Sequence, residues 1–156
     1  MPKNAQSALE YLMIIGLTFG IIIPTVYLFY SYSRESNIQL VDSQINSIGS
    51  NIVNTAESVY YSGEHSKTIM EFNMPENVNG ISIISERELV FYVTTEFGNT
   101  DIVFFSDVNI TADRTIPIYC AIGVCDLSHI ASQGHQKIRV ESISEGAEVL
   151  IEKVSE

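Results

Sequence analysis

The chain has 156 residues, 46% of them hydrophobic, with 8 basic and 19 acidic side chains and a formal net charge of −11. That length suits one domain plus a short accessory segment. So acidic a chain, with no cluster of Lys and Arg, is a poor match for a phosphate backbone, and no nucleic-acid partner is expected.

The polar opening MPKNAQSALE runs directly into YLMIIGLTFGIIIPTVYLFYSY. From Tyr11 to Tyr32 there is no charged side chain, and only Thr18, Thr25 and Ser31 are plainly polar. As a helix these 22 residues reach roughly 33 Å, and a hydrocarbon core is about 30 Å thick. The segment predicts a membrane span, with lipid as its first partner. Glu10 sits at its start, where an ionised carboxylate is costly unless paired. Gly16 and Gly20 form a small-xxx-small pair that lets helices approach closely. Pro24 removes a backbone donor and is expected to kink or locally melt the helix. Tyr27, Tyr30 and Tyr32 resemble an interfacial aromatic belt. Lys3 and the N-terminus favour a cytoplasmic start, which places everything after Arg34 outside the cell.

An ordinary secretory signal has a shorter apolar stretch followed by a small-residue cut site. Here the small residues precede the apolar run, in Asn4-Ala5-Gln6-Ser7-Ala8. Cutting there would leave the apolar helix on the mature protein. The stretch QSALEYLM, Gln6 to Met13, resembles the start of archaeal type IV pilin-like proteins with a class III signal peptide. The match covers about the first 30 residues. It implies a leader over residues 1–5, cut by a prepilin peptidase between Ala5 and Gln6, with Ser7 as the small second residue and Glu10 as the fifth mature one. It further implies self-association into a surface filament through the apolar helix, and a secretion and assembly machinery. A physical argument stands beside the resemblance. Cleavage creates a positive amine at Gln6, which the Glu10 carboxylate of an axially shifted neighbour can meet. An unpaired charge in hydrocarbon costs at least about 2.5 kcal/mol, so the pairing penalises wrong register. The blander reading leaves Glu10 in the headgroup layer of a single-pass anchor.

After the span the helical period continues but turns polar. Ile38, Val41, Ile45, Ile48, Ile52, Ala56 and Val59 form one apolar stripe. The expected division is a filament-core helix over 6–33, an amphipathic stalk helix over 34–62 and a β-rich head over 63–156. The stripe predicts a helix laid on the chain's own sheet, giving an α+β fold in which a long N-terminal helix packs on a C-terminal antiparallel β-sheet head. Ser62-Gly63 ends the helix. Strands are predicted over Lys67–Asn73, Ile81–Ser85, Glu88–Glu96, Asp101–Phe105, Asp107–Thr111 (as a separate strand or a continuation), Ile116–Ala121, Lys137–Ile143 and Ala147–Val154. Turns are expected at Asn79-Gly80 and at Phe97-Gly98-Asn99. A β-rich head on a long helix is also what the resemblance implies, loosely and without residue assignments.

No nucleophile elbow, phosphate loop or zinc-protease helix motif occurs, and no catalytic residue or cofactor is expected. Cys120 and Cys125 enclose Ala-Ile-Gly-Val, with Gly123 available to turn the chain, and predict a disulfide in an exported domain. Adding His129 and His135 gives valid zinc ligand types, but the first gap is wider than a knuckle's usual two, so no metal is expected. Asn109-Ile110-Thr111 is a glycosylation sequon. Two functions are compatible with these features. One is a pilin or minor pilin; the other is a single-pass, membrane-anchored extracellular binding domain that does not polymerise.

Overall fold

The computed structural model describes residues 3–95, 98–112, 120–121, 123–143 and 148–154, with the side chains of 3–7, 34–38 and 121 left aside. The protein is α+β. It divides into two compact units, Met1–Leu40 and Val41–Glu156.

The first unit holds the apolar part of α1 (Lys3–Tyr61). Its backbone stays helical on both sides of Pro24, so the proline does not melt it. Thr18 and Thr25 donate their hydroxyls to the carbonyls of Ile14 and Ile21, each at 2.8 Å. These i−4 bonds leave neither hydroxyl unpaired, as an apolar surrounding requires.

The second unit begins within the same helix. Ile45, Ile48, Ile52, Ala56 and Val59 are buried, as the stripe predicts, and Val41 is half-buried. Each Ile so removed from water contributes about 1.5–3 kcal/mol. Gly49 and Val53 are buried beside them and widen the stripe into two i+4 rows. Gly49 has a specific reason: the Phe104 ring lies where its Cβ would project. The helix ends on Gly63, whose φ of 102° belongs to the left-handed region, with the Gly63 amide donating to Tyr60 O.

Among the described residues nine strands follow: β1 (Lys67–Met74), β2 (Val78–Ile84), β3 (Glu88–Thr95), β4 (Gly98–Phe105), β5 (Asn109–Ala112), β6 (Cys120–Ala121), β7 (Val124–Asp126), β8 (Gly134–Ile143) and β9 (Glu148–Lys153). They form two sheets rather than one, a four-stranded sheet in the order β1-β8-β9-β5 and a five-stranded sheet in the order β4-β3-β2-β7-β6. Pairing is antiparallel except between β5 and β9, which run parallel. The two sheets and the buried face of the helix share one apolar core, with Ile81, Ile83, Leu89, Phe91, Ile138, Val140, Val149 and Ile151 supplied by the strands.

One expected turn is corrected: Asn79-Gly80 lies inside β2, at a register shift between Val78 and Gly80. Of the turn expected at Phe97-Gly98-Asn99, Phe97 lies outside the described residues, and Gly98 and Asn99 begin β4, opposite Thr95 and Thr94. The tight turn between β2 and β3 uses Ser85 and Glu86, with φ of 53° and 62°, and closes by the Arg87 amide on Ile84 O. Two successive left-handed residues suit a hairpin's twist but are costly without glycine. Neighbouring segments hold them: Ser85 N donates to Gly123 O, and Ile110 N donates to Glu86 O. The strand expected over Ile116–Ala121 lies outside the described residues except for β6.

Gly49→Ala forces the Phe104 ring to move and is expected to destabilise the head by about 1–3 kcal/mol. Denaturation of the detergent-solubilised chain reads this directly. Gly16→Ala, at a position open to solvent, should leave the midpoint unchanged; an unchanged Gly49→Ala midpoint would contradict the packing described.

Candidate functional site

The feature that stands apart is the helix segment Ala8–Ser33, 26 residues long and apolar enough to cross a membrane, with no part of it buried. Leu12 is 74% exposed and Phe29 73%. A contiguous apolar surface of this extent marks a membrane or protein contact. Gly16, Gly20 and Pro24 lie four residues apart, on one stripe of the helix. Beyond the helix's own backbone, nothing described stands within 4 Å of where a Cβ would be at Gly16 or Gly20, so this stripe is open to close approach by another helix. That Pro24 shares the stripe is readable from the spacing alone, though each residue invites interpretation singly. Glu10 is exposed at the segment's start. The side chains of Ala5 and Gln6 lie outside the described residues.

The head carries the remaining candidates. Cys120 and Cys125 are disulfide-bonded across the β6–β7 pair, where they face one another in register. Gly123, with φ of 77°, makes the turn between them. The sulfurs, bonded to each other, are not thiolate ligands, and among the described residues no group of His, Cys, Asp or Glu gathers to hold a metal. Asn109 begins β5, and its Oδ1 accepts from Arg87 Nε at 3.2 Å. The sequon's Thr111 is 1% exposed in the folded head. A transferase would therefore have to reach this sequon before β5 pairs with β9.

Beyond β7 the chain makes a 3-10 turn, Ser128–Ile130. Asp126 Oδ1 accepts from both the amide and the hydroxyl of Ser128, and these bonds hold its carboxyl below the usual range. Burial pushes the His129 imidazole down from its ordinary 6.5, aided by the charge of Lys153 and opposed by that of Asp126. On the outer face of the four-stranded sheet, Lys137 Nζ lies 2.9 Å from Glu71 and Arg139 Nη1 2.6 Å from Glu152. Lys137 lowers the Glu71 carboxyl, chiefly through their hydrogen bond. Surface ion pairs of this kind are screened by solvent and contribute little to stability.

No protein-family model, curated protein or solved structure matches the chain. The architecture itself is of a recognisable kind. One N-terminal helix able to cross a membrane precedes a β-rich, disulfide-bearing domain. This order is consistent with a pilin-like protein and with an anchored domain in an oxidising compartment.

Two outcomes follow from the head. Cys120 and Cys125 are the chain's only cysteines, so unreduced native protein should leave no thiol to alkylate. Closing so short a loop should stabilise the head by no more than about 2 kcal/mol, read from unfolding with and without reductant. A larger loss, or alkylation without reduction, would contradict the assignment. Acid has a second, separable effect. His129 binds its proton less readily in the folded head than in the unfolded chain, so stability is full above pH 6.5 and falls as pH drops from there towards the lowered folded value. The melting temperature should fall between about pH 7.5 and pH 5.5, and His129→Gln should shrink that fall. Equal falls in both proteins would remove His129 as the cause. The lowered carboxyls of Asp126 and Glu71 act in the same direction, but only below the ordinary carboxylate range.

Proposed function

We infer that the chain is a structural subunit of a type IV pilus-like surface filament, made as a single-pass membrane precursor. The observation that carries this reading is the exposure of Ala8–Ser33 along its whole length. So much apolar surface must be covered by lipid or by other helices. In the precursor, lipid covers it. After a prepilin peptidase cuts between Ala5 and Gln6, copies of the same helix cover it, and an assembly machinery moves each subunit from one surrounding to the other. The open Gly16–Gly20–Pro24 stripe supports close helix contact. Glu10 supplies the register: its carboxylate meets the new amine of a neighbour, and subunits that stop elsewhere leave both charges unpaired. The disulfide supports an extracellular head, and with it a cytoplasmic N-terminus in the precursor. The subunit acts through packing and has no catalytic residues of its own.

Sequencing of the mature protein should begin at Gln6. Glu10→Ala should lower filament yield at least about tenfold, since a lost pairing of more than 1.4 kcal/mol per subunit reaches that factor. Normal filaments from Glu10→Ala would refute the register role. A chain that keeps Met1 and stays in the bilayer would favour an anchored, non-polymerising binding domain.

A further inference from the structure

The sequon Asn109-Ile110-Thr111 opens β5, and its parts sit differently in the folded head. Asn109 is half-buried, whereas Ile110 and Thr111 are each only 1% exposed. The Asn109 Oδ1 accepts from Arg87 Nε, an exposed contact. Its Nδ2, the atom to which a sugar is joined, donates to no described group. The Thr111 hydroxyl faces inward: it donates to Ala112 O at 3.2 Å and lies 4.0 Å from Cys125 Sγ, on β7.

The two ends of the sequon thus behave oppositely. An enzyme that selects a hydroxyl two residues after the asparagine must reach that hydroxyl, and the closed head hides it. A sugar already on Nδ2 leaves the bond from Arg87 to Oδ1 intact, because it uses the other atom of the amide. The folded head can therefore hold the product but cannot present the substrate. The topology supplies an interval in which it can. β5 is held by β9 in parallel register, with Asn109 opposite Glu148. Glu148 follows roughly 40 residues later, a delay of about 2–8 s at a synthesis rate of about 5–20 residues per second. Until β9 arrives, β5 lacks the strand that closes it.

We propose that Asn109 is an N-glycan acceptor filled during export, and that docking of β5 on β9 ends the reaction. The donor is a glycosyl phosphate or diphosphate on a lipid carrier. A bond forms between Asn109 Nδ2 and the anomeric carbon while the bond from that carbon to the phosphate oxygen breaks. The lipid phosphate leaves with the bonding pair, and Nδ2 releases one proton. This rests on the extracellular head of the reading above and not on polymerisation: an anchored monomer would carry the same sugar.

Two measurements test it. Mass spectrometry of the chain from its own cells should find a saccharide on the tryptic peptide 88–114. Asn109→Gln and Thr111→Val should each lack it, and Thr111→Ser should keep it. The second measurement separates the order of events from the site. Unmodified full-length chain, made in a host without the transferase, is incubated in detergent with membranes of the native cells, which supply transferase and donor. One sample is the folded wild type with its disulfide closed. The other is Ile151→Asp, which sets an unpaired charge in the core opposite Ala112 and keeps β9 from closing on β5. Folding hides a site in proportion to its stability, so the wild type should take up at least about tenfold less saccharide than the open variant. Equal uptake, or uptake by neither, would refute the order. A bare Asn109 in the native chain would refute the site and leave the filament reading untouched.

Discussion

An apolar helix segment left exposed among the described residues is the constraint on which the rest depends. Every described residue of Ala8–Ser33 is exposed. The hydrophobic effect does not specify what covers such a surface; lipid tails and sister helices serve alike. Between those two surroundings the free-energy difference is small, so small terms decide the outcome. Packing at Gly16 and Gly20, and the state of one carboxylate at Glu10, are terms of that size. The hydroxyls of Thr18 and Thr25 do not enter the balance, because each is satisfied inside the helix in either surrounding.

The head solves the opposite problem. It borrows the later part of the same helix, from Val41 onward, to complete a core that its two sheets share. Ile45, Ile52 and Ala56 make the same apolar demand as Leu12 and Phe29 but meet it against Phe91, Ile138 and their neighbours. The connection is tightened by polar contacts: Glu57 accepts from the Asp107 amide, and Ser66 donates to Val59 O. One helix thus has two fates along its length, and the change from Tyr-rich span to Ser- and Asn-rich stalk marks it in the sequence.

The helix and its stripe were legible because period 3.6 persists over many turns and no strong breaker interrupts it after Pro24. Most strands were legible from alternation: Leu89, Phe91 and Val93 face inward while Tyr92 and Thr94 do not. Turn chemistry was the weaker guide. Asn79-Gly80 is a strong local turn signal, yet β2 passes through it with a register shift, because Val78 on one side and Ile81 on the other both reach the core. The reversal after Ile84 carries no glycine, and the bonds of Ser85 and Glu86 to neighbouring segments hold its two left-handed residues. Gly49 was invisible as a core residue, since its value lies in the side chain it lacks and in a ring from a distant strand. The disulfide was legible from spacing and its turn glycine. The parallel pairing of β5 with β9 was not, because no local signal states which way a short strand runs.

The central claim is that this helix exchanges lipid for copies of itself. Filaments sheared from the cell surface, separated from membranes and analysed by mass spectrometry, test it most directly. The account predicts this chain in the filament fraction, starting at Gln6 and free of lipid. Recovery of the chain only with the bilayer, still carrying Met1, would contradict it.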